Sequence, residues 1–375
     1  MSGIIKKLIS GALVVIMALY GFVGMSSNVS NDYAEGKYKN VILMIGDGMG
    51  DNTLEATKAQ RNVELTMETM PVRGHSDIDS FLIPATDSAA GATALSCGIR
   101  AWTNSVAVYP FVPINVDDTP VPITLAELAK ANGKAAGVVT TDETSGATPS
   151  AFSAHVYDRK MEEEISADQL VSGLDLIWGG DSPSITAENT AANGFTYIDS
   201  ETKLNALTAG SRSFAQFNFD DLKYVKNEHD TPTLEEMTKK AIEILSADED
   251  GFFLMVEGAC IDKFSHSNIM DGCTLSTVEF DKAVAAALDF AKADGETLVV
   301  VTADHETGGI KLNKETGEYY YTSDTHTLVD VPLFVSATDA GFADGEEVKN
   351  REISVQIARV MGYGKDQFPA QKIVD

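Results

Sequence analysis

Cysteine, basic side chains and long apolar runs are all scarce in this sequence, and each scarcity excludes something. Only three cysteines, Cys97, Cys260 and Cys273, occur in 375 residues. An odd, low count excludes a disulfide scaffold, leaving at most a Cys260–Cys273 pair. Lys and Arg number 28 against 56 Asp and Glu, a net charge of −28. Duplex nucleic acid is therefore excluded as a partner, because a phosphate backbone needs a basic footprint. The acidity reads simply as solubility. No internal repeat, low-complexity tract or linker divides the chain.

One long uncharged apolar run exists, Leu8 to Val23. Lys6 and Lys7 precede it, and the small and polar residues Gly24 to Ser30 follow. It is short for a membrane span and has the three-part pattern of an export leader, with cleavage expected near residues 24–34. No cysteine follows the run, so a lipoprotein is not expected. The reading is residues 1–30 as a signal peptide and 31–375 as a single catalytic domain, periplasmic or secreted.

Apolar runs ending in glycine or polar residues recur. Asn40–Ile45 runs into Gly46-Asp47-Gly48-Met49-Gly50, Phe252–Val256 into Glu257-Gly258, and Leu298–Val301 into Thr302-Ala303-Asp304-His305. Continuous apolar runs of this length fit buried parallel strands. Ala135–Thr141, Leu174–Trp178 and Val331–Val335 read as further strands, with a hairpin at Gly317–Tyr321. Helical spacing covers Val121–Asn132, Ser150–Lys160, Leu234–Leu245, Leu275–Ala293 and Glu352–Met361. Residues 183–232 read as decoration with a peripheral strand or two. Alternating strands and helices predict an α/β fold, a three-layer sandwich with a central, mainly parallel sheet.

The chemistry gathers at the strand ends, where open α/β sheets place their ligands. Asp47, then Glu257, Asp262 and His266, then Asp304 and His305 follow three strands, and His326 precedes a fourth. Asp262 and His266 are four apart, able to face one ion on a helix. Singly, each is an ordinary turn or surface residue. Together they offer imidazole and carboxylate to zinc, and carboxylate and hydroxyl oxygen to magnesium. Asp87-Ser88 opens a small-residue helix, Ala89–Cys97. Ser88 taken alone favours a helix cap; beside metal ligands it becomes a candidate nucleophile.

Asp47, Thr86-Asp87-Ser88-Ala89-Ala90, Ala147-Thr148-Pro149, Arg159, Glu257-Gly258, Ile261-Asp262-x-x-x-His266, Thr302-Ala303-Asp304-His305-Glu306 and His326 together resemble the bacterial alkaline phosphatases. The resemblance runs in chain order from about residue 40 to 336. It implies hydrolysis of phosphate monoesters through a phosphoserine at Ser88, with two zinc ions and one magnesium. Asp47, Asp304 and His305 would hold one zinc, and Asp262, His266 and His326 the other. Asp47, Thr148 and Glu257 would hold magnesium, while Arg159 clamps phosphate oxygens. A homodimer with no stable membrane anchor is also implied.

One position departs from the family. Gly146 stands two residues before Thr148, where relatives carry Asp or His, and Lys263 follows Asp262 as a possible phosphate contact. A weaker magnesium site is the expectation. A phosphodiesterase or sulfatase on the same core is the alternative, though it would need neither Arg159 nor the Thr148/Glu257 pair. A metal- or phosphate-capturing binding protein would not need Ser88.

Overall fold

The computed structural model describes residues 36–78, 85–110, 120–219, 231–369 and 371–373. The expected leader lies outside the described residues. Fourteen strands are present among those described: β1 Asn40–Gly46, β2 Val72–Asp77, β3 Pro120–Pro122, β4 Ala135–Glu143, β5 Leu176–Gly180, β6 Thr196–Ile198, β7 Ser213–Phe217, β8 Phe252–Gly258, β9 Thr297–Thr302, β10 Lys311–Leu312, β11 Tyr319–Tyr320, β12 Val331–Val335, β13 Glu347–Lys349 and β14 Gln371–Ile373. Ten form one sheet in the order β13-β2-β12-β9-β1-β8-β4-β5-β7-β6.

Burial along β1 explains the uninterrupted apolar run. Val41, Leu43 and Ile45 belong to one core, with the helices Ser88–Cys97, Leu125–Ala131 and Asn350–Val360. Ile42 and Met44 belong to the other, with Asp51–Arg61, Leu234–Leu245 and Met270–Asp294. A central parallel strand covered on both faces has no reason to alternate in polarity. The α/β sandwich expected from the sequence is the observed architecture.

One strand breaks the parallel order. β12 pairs antiparallel with both β9 and β2. Its leading end therefore lies at the rim formed by the carboxyl ends of its neighbours. That reversal is what lets His326, ahead of β12, join residues that follow β1, β8 and β9.

Two helix expectations need correction. Val121–Asn132 is not helical throughout: Pro120–Pro122 pairs with Gln371–Ile373, and the helix starts at Leu125. Thr124 and Glu127 form the capping box that fixes this start,. The helix expected over Ser150–Lys160 is a single turn, Ala147–Ser150. Val156 instead bridges Val106, and the buried His155 ring bonds Ala107 O and Glu127. Those long-range contacts outweigh a local preference. None of the three cysteines is disulfide-bonded; all are buried.

Candidate active site

Ser88 is the first residue of its helix, and the cap role falls to its neighbour. Asp87 Oδ1 accepts from Ala90 N at 3.1 Å, and its Oδ2 accepts from Asn104 N at 3.0 Å. The Ser88 hydroxyl is thereby spared from capping, a task worth about 1 kcal/mol to a helix. It lies 3.1 Å from His305 Nε2. The helix can lie this close because it is built of small residues: a Cβ on Gly91 would sit 2.7 Å from Asp304 O.

Strand register aligns the acidic groups. Ile45 is level with both Glu257 and Thr302. Asp47 and Asp304 each lie two residues beyond that level, at one height on the rim. Gly48 N donates to Asp304 Oδ1 at 3.3 Å, and Thr307 N to Gly48 O at 3.1 Å, lacing the two loops together. Gly48 has φ +72°, and a Cβ there would come within 2.8 Å of Asp262 Oδ1, so glycine is required twice over,.

Three imidazoles are oriented in the same way. His266 Nδ1 donates to Asp324 O at 2.6 Å, and His326 Nδ1 to Thr86 O at 2.8 Å. The Thr307 hydroxyl donates to Asp262 Oδ1, so it accepts from His305 Nδ1, 3.2 Å away. Each Nε2 is then left with a lone pair, and an Nδ1 partner of this kind is usual in histidine metal ligands. His266 Nε2 and His326 Nε2 stand 3.1 Å apart, and His266 Nε2 is 3.3 Å from Asp262 Oδ2. Two lone pairs and a carboxylate facing one point suit a cation between them. The His305 and His326 rings stack with centroids 3.6 Å apart.

Two sets of side chains can each converge on one ion: Asp262, His266 and His326, and Asp47, Asp262 and His305. Asp262 contributes to both. Asp304 Oδ2 adjoins the second set, 3.4 Å from His305 Nε2. Asp47 Oδ1, Asp304 Oδ2, Glu257 Oε1 and Thr148 Oγ1 are buried without a hydrogen-bond partner. Thr148 lies beside Glu257. Leaving buried carboxylate oxygens unmet costs several kcal/mol unless a cation meets them. The donor chemistry fits the implied metals: imidazole and carboxylate for zinc, carboxylate and hydroxyl for magnesium.

Electrostatics agree. Burial, then the Asp304 carboxylate, pushes the Asp47 carboxyl well above its usual range. Burial also raises Asp304. Burial and next Asp142 push Glu257 up to about 8. Burial, then His326, holds His305 well below its ordinary value, so it is neutral, as a ligand must be,.

Arg159 stands in a turn, its Nη1 3.7 Å from Asp87 Oδ2 and its side chain one-third exposed. Lys263 Nζ pairs with Asp142 Oδ1 at 2.8 Å. Four participants escaped the sequence reading in their roles: Thr307 between His305 and Asp262, Thr140 donating to Glu257, Glu306 accepting from the hydroxyl of Thr327, next to His326 in the chain, and Asp142. A lone threonine or an aspartate near a strand end carries no spacing signal that could have singled it out.

The fold and this rim define a hydrolase suited to metal-assisted phosphoryl transfer. The alkaline phosphatase family model matches residues 38–177 and 179–356. Alkaline phosphatase 3 of Bacillus subtilis is 34% identical over 334 residues, 82% of this chain and 70% of that protein. The Escherichia coli alkaline phosphatase is 34% identical over 396 residues, 87% of this chain and 81% of its own. The solved alkaline phosphatase of the Antarctic bacterium TAB5 superposes with a TM-score of 0.74 at 30% identity, covering 88% of this chain and 100% of that one. A variant of that Antarctic enzyme has been solved with Mg bound in the M3 site. The chain belongs to the alkaline phosphatase family and is a metal-dependent hydrolase of phosphate monoesters.

Proposed function

We propose that Ser88 is the nucleophile and is transiently phosphorylated. The observation that carries this is the Ser88 hydroxyl 3.1 Å from His305 Nε2, at the edge of a carboxylate cluster. Asp47, Asp304 and His305 would hold one zinc, Asp262, His266 and His326 a second, and Asp47, Thr148 and Glu257 a magnesium, with Asp47 shared. Bound there, such cations neutralise phosphate charge, lower the pKa of the entering hydroxyl and stabilise the leaving oxygen.

The chain's own groups do the positioning. The Asp87 cap frees the Ser88 oxygen and aims the helix N-terminus at the phosphate. Asp87 Oδ2 steers the Arg159 fork, which would grip two nonbridging oxygens. Thr307 fixes the His305 tautomer. His266 and His326 form the open side, where the leaving alcohol departs. Nothing among the described residues of this arrangement reads the alcohol, which supports broad tolerance of leaving groups.

Residues 1–30 are proposed as a cleaved export leader and 31–375 as one catalytic domain, periplasmic or secreted and homodimeric. No helix among the described residues is long and apolar enough to cross a membrane.

The test is acid quenching during turnover of p-nitrophenyl phosphate, followed by peptide mass spectrometry. Phosphate on Ser88 is expected, absent in Ser88→Ala, and metal chelation should remove both label and turnover. Faster hydrolysis of the bis-ester or the sulfate would instead place the chain's activity with the diesterases or sulfatases.

A further inference from the structure

Gly146 leaves the third cation one side chain short in the sequence. In space, another residue stands there. β4 continues to Glu143 rather than stopping at Thr141 and so carries Asp142 onto the rim. The chain then turns back, Gly146 N donating to Glu143 O at 2.8 Å, which lays Gly146 against the Asp142 carboxylate. A Cβ on Gly146 would overlap Asp142 Oδ2 and come within 2.8 Å of its Cγ. The volume that a side chain at 146 would enter is therefore filled by a carboxylate from four residues upstream.

That carboxylate is built into the site. Thr140 Oγ1 accepts from Asp142 N at 2.8 Å and donates to Glu257 Oε2. The other Asp142 oxygen is held by Lys263 at 2.8 Å, and the Asp142 side chain is only 19% exposed. Glu257 Oε1 and Thr148 Oγ1, in residues each 1% exposed, are without hydrogen-bond partners. A carboxylate anchored on one oxygen by an ammonium keeps its other oxygen aimed, the usual way an outer group tunes a metal site.

We propose that Asp142, oriented by Lys263, supplies the third cation site with the acidic group that Gly146 lacks. The inference rests on the assignment of Thr148 and Glu257 to magnesium. It reverses the expectation of a weak site, and it makes Lys263 primarily a carboxylate anchor.

The experiment measures Mg2+ binding to zinc-loaded enzyme by calorimetry, alongside phosphoserine formation at Ser88. Asp142→Asn and Asp142→Ala should each weaken Mg2+ binding by about 10-fold or more. Gly146→Asp alone should also weaken it, since two carboxylates would contend for one volume. The double variant Asp142→Ala/Gly146→Asp should recover affinity to within a few-fold of the starting protein. Unchanged Mg2+ affinity in Asp142→Asn and Asp142→Ala, with melting temperature and phosphoserine formation preserved, overturns the proposal. Should Glu257→Gln leave Mg2+ binding intact as well, the magnesium site itself is misassigned and the proposal falls with it. Absence of phosphoserine in every variant, the unmutated enzyme included, would count against the nucleophile instead.

Discussion

The two halves of the proposed metal cluster use the same device in opposite surroundings. In the inner half, the side chains of His305 and Asp304 have no solvent exposure and that of Asp47 has 10%. In the outer half, His266 is 40% exposed, His326 17% and Asp262 11%. Both halves anchor Nδ1 and present Nε2. The inner groups lie just past β1 and β9, paired parallel strands inside the sheet, so water cannot stand in for a missing cation. The outer groups sit on a short helix, Cys260–His266, and on the loop before β12, where water can. On the proposed reading, the inner half would hold charge beside Ser88 and the more exposed outer half would exchange ligands.

Equal truncations should break that symmetry. His305→Ala removes a buried group in contact with Ser88, the proposed nucleophile, and we expect turnover to fall by about 10²–10³-fold, on the scale of a lost stabiliser of the reacting oxygen,. Added zinc should not restore it. His266→Ala leaves an opening that water can fill, so a loss nearer about 10-fold, largely recovered at raised zinc, is expected. Turnover of p-nitrophenyl phosphate against zinc concentration reads both. Comparable losses with comparable rescue would erase the distinction between the halves.

The inner half should also reveal itself in stability against pH. Asp47, Asp304 and Glu257 all titrate above their ordinary range in the metal-free fold, Glu257 at about 8 against 4.5. A raised carboxyl pKa means the folded state holds protons that the unfolded chain has released. The favourable contribution is complete below the ordinary value and is lost as pH rises through the raised one. For Glu257 the window runs from 4.5 to about 8. Thermal melts of the chelated protein should therefore fall across that window, and the gap to the metal-loaded protein should widen, because cation binding needs deprotonated ligands. Glu257→Gln should flatten the slope of the chelated protein. A chelated melting temperature independent of pH would show that these carboxyls are relieved in some other way.

Most of this inner half is legible in the residues themselves. NVILMI, FFLMV and LVVV announce strands buried on both faces, and parallel strands of that kind deliver their next residues to one rim. Asp47, Glu257 and Asp304 are readable for that reason. His326 is readable as a histidine just ahead of a fourth strand, but its arrival at the same rim depends on β12 running backwards, which nothing local signals. The helix expected over residues 150–160 fails because His155 and Val156 answer to partners about 28 to 50 positions away, Glu127, Val106 and Ala107. Asp142 is hidden for a related reason: its value depends on a turn that folds Gly146 onto it. The two-residue spacing that marks the family motif has no counterpart at a distance of four.

The smallest expected effect falls on the group that joins the halves. One hydroxyl, Thr307 Oγ1, donates to Asp262, a ligand candidate of the outer set, and accepts from His305 of the inner set. Thr307→Val keeps the volume and the backbone pairing of Thr307 with His326 but removes both bonds. His305 is then free to take the other tautomer, and Asp262 loses a donor. Zinc affinity should weaken by about 10-fold, within the range for groups that orient ligands, while turnover at saturating zinc changes only a few-fold. Thr307→Ser, which retains the hydroxyl, should bind zinc as the unmodified protein does. The decisive reading is cooperativity. If Thr307 couples the halves, the valine variant should load its two zinc ions in separate steps that the serine variant does not show. Identical loading curves for the two variants would make Thr307 a packing residue, and the halves independent.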